Sequence, residues 1–312
     1  MITGTIPDQY KIQFDTNWSH AAQQEISRFK KYAIVKEGCS GKSMSHNAVE
    51  SDEMEEQVAR LQKTSGTELA TYTRFVFPLP HQKTTYLDEW DENLLGDVIL
   101  PKGEATEVHR MAAERKIDDI FLRGITGNNT QGVHDEMNTV VIPNSMKVAA
   151  NYRRDGGSAN TGLTLVKLIR GKSIFGKLEV YGQNLERNGA KLCMAVSQDE
   201  LDNLLYDVEQ IGSADYNKVR ALVDGEIDYF MGINFIRSER MPIAAAGGGK
   251  IIRTLPMWVS NRVHIDFWSG LRTKISYRDD LSEAIQIRSK MMLNACRKDE
   301  KSVVLIYAEQ DA

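Results

Sequence analysis

The sequence predicts an α+β fold, and three observations carry that prediction. Residues 71–87 alternate around a proline break as strands do, and residues 107–124 and 163–185 repeat apolar side chains at helical spacing. Strands and helices then follow one another without the regular βαβ order of a parallel sheet.

The bulk properties narrow the class. A chain of 312 residues is long enough for one large core or two modest ones. Hydrophobic residues make up 41% and charged residues 26%, ordinary for a folded soluble protein. No apolar run approaches the roughly 20 residues of a membrane helix. The opening MITGTIPDQYKIQFD has neither the basic start nor the apolar block of a secretory signal. Cys39, Cys193 and Cys296 lie far apart with no CxxC pair, which reads as reduced thiols of a protein made and kept soluble in a cytoplasm. The formal net charge of −4, with lysine and arginine spread along the chain, argues against a dedicated nucleic-acid reader.

Along the chain, residues 1–15 look extended, and Asn17 or Ser19 caps a helix expected to reach Tyr32. Residues 36–47 form a polar loop. A charged helix is expected over 48–63, with Met54, Val58 and Leu61 as its narrow apolar stripe. Two β-prone runs flank Pro78-Leu79-Pro80 and predict a long hairpin over 69–90 with little core of its own. A helix over 107–124 stops at Gly124 and Gly127, and a flexible segment leads to a strand at 139–142. The helix over 163–185 would be roughly 30 Å long, a beam rather than a connector. Beyond it come strands at 191–196, 229–238, 257–267, 272–277 and 302–307, and helices at 198–208, 214–224 and 281–296. Gly247, Gly248 and Gly249 read as a mobile loop.

Enzyme motifs do not assemble. Gly38-Cys39-Ser40-Gly41-Lys42-Ser43 imitates a phosphate-cradling loop, but Lys36 stands where G-x-x-x-x-G-K-[ST] needs its first glycine. Gly247-Gly248-Gly249-Lys250 lacks the rest of any such motif. His109 and Glu114 are five apart, off the i, i+4 spacing of a zinc protease, and the six histidines show no metal-ligand spacing. No G-x-S-x-G elbow occurs. Asp118 and Asp119 diverge by about 100° on a helix and suit solvent or salt bridges. No catalytic, cofactor or metal residues are assigned.

Other segments carry a resemblance. His109 to Asp119, HRMAAERKIDD, followed by the glycine-rich Gly124 to Gly132, resembles the A-x-x-R-x-x-D helix of the coat proteins of tailed bacteriophages. Gly212 to Tyr216 with Ala221 to Ile227 is similar to a second segment of that family, and Met231 to Pro242, MGINFIRSERMP, to its G-f-x-f-i-x-s strand. Ile275 to Asp280, Asn294 to Arg297 and Val303 to Ile306 resemble its closing strand, helix and strand. The matches keep the family's order from about residue 70 to 308.

The resemblance implies a major capsid protein with the fold shared by encapsulins and the herpesvirus capsid floor. It implies an N-terminal arm (1–45), a charged helix and extended hairpin loop (46–92), and a peripheral domain whose spine helix is 163–185 (93–189). An axial domain around a central sheet (190–262) and closing strands and helix shared between the domains (263–312) complete it. Pentamers and hexamers would close an icosahedral shell around DNA in the virion, assembled in the host cytoplasm. The implied partners are further copies, a separate scaffolding protein, a portal at one vertex and a decoration protein, without sequence-specific DNA contacts. No pro-segment removal and no covalent crosslinking are expected. Contact candidates are Tyr10 and Trp18 in the arm, Arg74, Phe75, Phe77 and Tyr86 in the hairpin, and Gly247, Gly248, Gly249 and Lys250 near a symmetry axis. An encapsulin-like shell, another virion protein and a nucleotide-binding enzyme are the alternatives.

Overall fold

A computed structural model describes residues 21, 23–50, 52–54, 56–60, 66, 68–88, 102–133, 136–154, 156–180, 189–211, 220, 223–224, 228–281 and 283–311. There are three sheets, and two of them line the main core. The largest is built on β8 (Leu192–Val196), whose five residues, LCMAV, are all buried as in a strand covered on both faces. It lies between β10 (Ile233–Arg237), parallel to it, and β12 (Lys250–Val259), antiparallel. β9 (Tyr229–Phe230) extends one edge, and β15 (Val303–Asp311) and β7 (Lys147–Val148) extend the other. β11 (Ile243–Gly247) folds back onto β12. The run expected as one strand over 229–238 breaks at Met231 and Gly232, whose φ values of 53° and 80° turn the chain.

The second sheet orders β1 (Ile34–Lys36), β13 (Val263–Arg278), β14 (Ala284–Arg297) and β4 (Leu79–Leu87). The third orders β2 (Met44–Val49), β3 (Thr71–Val76), β5 (Asn129–Val133) and β6 (Glu136–Val140). β13 begins buried and ends exposed, so its outer half leaves the core.

Helix α1 (Lys102–Thr126) lies across β14. Gly124 permits this approach: a Cβ there would come within 2.8 Å of the Ala295 side chain and still closer to its backbone. Phe121 stacks on Phe29 with ring centroids 5.2 Å apart, and both meet the edge of Trp258, whose indole N–H donates to the Tyr32 carbonyl. Helix α2 (Leu165–Lys177) starts at Thr164, whose side chain accepts from the Lys167 N–H. Its Gly171 fits against Met257 and Ile306. Helix α3 (Gln198–Ile211) follows β8.

Several expectations are corrected. Residues 23–29 are not helical, and only a 3-10 turn, Lys30–Tyr32, forms. Asp118 on α1 holds this segment instead, accepting from the Ser27 hydroxyl at 2.5 Å and from the Arg28 N–H at 3.1 Å. The charged stretch after Val49 forms no helix among its described residues: Met54 and Val58 of its narrow stripe are exposed, and a short helix without a buried face is marginal in water. The segments flanking Pro78 are both strands, yet they join different sheets, so the hairpin is β2 with β3 and not β3 with β4.

The beam is also elsewhere. α1 spans 25 residues, about 37 Å at 1.5 Å each, and runs through Gly124 without stopping. α2 has 13 residues and closes at Leu178, with Glu179 at φ 54°. The closing helix expected over 281–296 is β14, where Ile285, Ile287, Ser289, Met291, Leu293 and Ala295 alternate inward. Most of the helix expected over 214–224 lies outside the described residues.

Candidate functional site

The β2–β3 hairpin carries a run of exposed apolar side chains. Its ladder runs from Met44 opposite Val76 to Val49 opposite Thr71, and the Glu50 N–H closes it on the Ala70 carbonyl. At the root, His46, Ala48, Arg74 and Val76 turn inward and are buried. Beyond the ladder every described residue from Glu50 to Ala70 is exposed. Met54 (103% exposed) and Val58 (85%) stand fully in solvent, with Val49 and Leu69 exposed beside them. A run of exposed apolar side chains of this kind marks a contact surface. Further exposed apolar residues are Leu271, Ile275, Tyr277 and Leu281 on the outer half of β13 and the turn after it, and Tyr86 on β4, which the register places on the opposite face from Ile275 and Tyr277.

The sequence-derived candidates divide accordingly. Phe77 and Tyr86 are exposed, and Phe75 is half-buried. Arg74 is withdrawn from the surface: it is 0% exposed and its Nη2 donates to both Glu300 oxygens at 2.9 and 3.0 Å. Its charge belongs to the subunit interior, since the ladder register turns its side chain toward the Asp299–Ser302 corner. Gly247 to Gly249 form a defined turn between β11 and β12, with φ of 86°, 63° and 76°, a left-handed run that glycine adopts without a Cβ penalty. Lys250 beside it pairs with Glu309 at 2.8 Å. Tyr10 and Trp18 lie outside the described residues. Sequence reasoning missed Leu271, Ile275 and Tyr277, whose alternation was visible but offered no clue to which side faces solvent.

The phosphate-loop imitation folds as a connector. Cys39 donates its N–H to the Phe267 carbonyl, and Trp268 donates to the Gly41 carbonyl. Strand β2 follows where a phosphate loop requires a helix N-terminus.

Beneath the hairpin root lies a buried polar junction. Arg297, 0% exposed, donates to the carbonyls of Ile125, Gly127 and Val140, and its Nε lies 3.3 Å from Glu300. His46 Nε2 sits 2.7 Å from Asp266 Oδ2, and the His46 and His264 rings stack at 4.2 Å. Burial, with the neighbouring His46 adding to it, pulls the His264 pKa down to about 4. Burial pushes the Cys296 thiol up to about 12. His46, Asp266 and Cys296 are close enough together to hold a metal ion.

A second buried carboxylate opposes His264 in its pH dependence. Burial raises Glu200 to about 7, although it accepts the Leu163 N–H at 2.6 Å. Between pH 4 and 6.5 the unfolded chain holds a His264 proton that the fold rejects, so stability falls on acidification. Between pH 4.5 and 7 the fold keeps a Glu200 proton that the unfolded chain releases, so stability falls as pH rises. Each slope is about 1.4 kcal/mol per pH unit, and the two offset each other where the windows overlap. Glu200→Gln removes one of them. Its stability relative to the parent is expected to climb by about 3 kcal/mol from pH 4.5 to 7, read from urea midpoints of the unassembled subunit. Parallel curves for the two proteins would refute the assignment.

A long helix lies on one sheet, a second sheet is buried at the centre, and an apolar ribbon is exposed at the β2–β3 hairpin. The sequence matches the phage capsid protein family over residues 6–309, and the chain belongs to that family. It is a structural shell subunit of a phage head, and its place is the virion capsid. No curated protein matches the sequence. Solved structures share the fold. The capsid of cyanophage P-SCSP1u is 13% identical with a TM-score of 0.65, covering 98% of this chain and 94% of that one. The capsid asymmetric unit of cyanophage Pam1 is 10% identical with a TM-score of 0.70, covering 99% of each. The capsid of Helicobacter pylori bacteriophage KHP30 is 8% identical with a TM-score of 0.67, covering 96% and 95%.

Proposed function

We propose that copies of this subunit associate through the β2–β3 arm into pentamers and hexamers that close as an icosahedral head around double-stranded DNA. The observation that carries the proposal is the arm itself, which exposes the large apolar side chains of Val49, Met54, Val58 and Leu69 to solvent. Ile275 and Tyr277, exposed together on one face of outer β13, offer such an arm a seat on the next subunit. Many modest contacts of this kind keep assembly reversible while the closed lattice sums them. The net charge of −4 limits sticking to packaged DNA, where counterion release would favour a basic surface.

The role is structural rather than enzymatic. A separate scaffolding protein, a portal at one vertex and a decoration protein complete the particle, which assembles in the host cytoplasm. In this scheme residues 1–45 form the N-terminal arm, 46–92 the reaching loop, 93–189 the peripheral domain, 190–262 the axial domain and 263–312 the elements that join them. The spine of the peripheral domain is α1 rather than 163–185. Electron microscopy of the chain expressed alone and with its scaffold tests the reading. Closed shells tens of nanometres across are expected in at least one condition. A monodisperse monomer or dimer in both would overturn it.

A further inference from the structure

The root of the arm holds a cluster that the shell function leaves unused. β13 pairs with β14 so that His264 stands opposite Cys296, with Asp266 two residues along. Alternation places these three on one face of the sheet. The opposite face carries Ala295, which meets α1 at Gly124. β2 lowers His46 onto the Asp266 side, closing the space from above.

The geometry there is that of a ligand set. One donor atom from each of His46, Asp266 and Cys296 lies within 4.8 Å of the others, and all three residues are buried. Asp266 is 0% exposed, and while its Oδ2 meets His46 at 2.7 Å, its buried Oδ1 has no hydrogen-bond partner. The buried Nδ1 of His264, whose ring stacks on His46, has none either. A carboxylate oxygen taken out of water without a donor is costly, and two such atoms beside a thiol are the pattern an ion would resolve.

We propose that His46, Asp266 and Cys296 bind one Zn2+ ion at the root of the arm, with a water as the fourth ligand. Mixed imidazole, carboxylate and thiolate donors suit Zn2+ in tetrahedral geometry. Bond lengths of about 2.0 to 2.3 Å set the donors about 3.3 to 3.7 Å apart, so the cluster contracts by about 1 Å and the His46–Asp266 contact opens. One carboxylate and one thiolate balance the two charges of the ion, leaving a neutral buried site. Without metal, burial keeps the Cys296 thiol protonated. Uptake therefore forms the Zn–S bond as the thiol proton leaves to solvent. The ion would tie β2 of the arm to β13 and β14 of the body, fixing the direction in which the arm leaves the subunit. The site does not depend on how subunits associate.

Co2+ titration of the chelator-stripped full-length chain tests the proposal. One Co2+ per chain is expected, with the intense visible bands of a tetrahedral site and a near-ultraviolet thiolate-to-cobalt band, all displaced by Zn2+. His46→Gln should weaken binding by more than about tenfold, since a lost ligand costs at least as much as a lost outer-shell partner. Cys296→Ser should abolish the near-ultraviolet band. A chain carrying Cys39→Ser and Cys193→Ala keeps Cys296 as its sole cysteine and should retain that band, which decides the matter even if Cys296→Ser does not fold. Absence of the band in the parent, its loss from the sole-cysteine chain or its survival in Cys296→Ser would each overturn the site.

Discussion

Arg297→Ala is expected to destabilise the unassembled subunit by about 3–5 kcal/mol, the cost of breaking a buried charge pair from one side. The arginine is 0% exposed and serves three elements at once. Its Nη1 caps the end of α1 through the Ile125 and Gly127 carbonyls, and its Nη2 takes the Val140 carbonyl at the end of β6. Alanine would leave these acceptors buried without donors, open a cavity, and leave Glu300 to Arg74 alone. A domain of this kind has only about 5–15 kcal/mol in total, so the variant should be largely unfolded at modest denaturant. Arg297→Lys keeps the charge but not the planar fork that reaches several carbonyls together, and is expected to lose roughly half as much. Urea unfolding of the soluble subunit measures both. A loss below about 1 kcal/mol for alanine would show that the junction is dispensable.

Met54→Asp combined with Val58→Asp is expected to leave the subunit folded and abolish shell formation. Both side chains are exposed and touch no core, so stability should change by no more than about 0.5 kcal/mol. In a lattice the same defect recurs at every copy, and two buried carboxylates per contact would be prohibitive. Met54→Leu with Val58→Ile preserves apolar area and should assemble. Sedimentation and electron microscopy of the three proteins make the comparison. Normal shells from the aspartate variant would remove the described tip of the arm from the interface.

These expectations show where the sequence was legible. The five apolar residues 192–196 and the helical spacing from Val108 to Phe121 were unambiguous, because burial imposes those patterns directly. β14 was misread because Gln286, Arg288, Lys290 and Met292 are straight-chain residues with good helix propensity, while its alternation on Ile285, Ile287 and Met291 serves a long-range sheet. The hairpin was placed in the right region with the wrong partner. Pro78-Leu79-Pro80 looked like its turn, whereas the chain crosses between sheets there and the true return is made by β2, 22 residues earlier than β3 counting from Val49 to Thr71. Arg74 illustrates the remaining limit: a charged residue on an alternating strand is assumed to face water, and only Glu300, far away in sequence, shows why it faces inward.

The continuity of β13 has a mechanical meaning. The strand runs from the buried Val263 to the exposed outer residues near Arg278, paired with β14 on both sides of register shifts between Phe267 and Arg272. Antiparallel hydrogen bonds lie perpendicular to the strand, so tension along β13 loads the rungs together in shear, while a force across the sheet peels them one by one. The subunit is therefore stiff along this axis and compliant across it. A wall that lays the axis within its own plane meets stretching with its stiff direction and leaves bending to the compliant one.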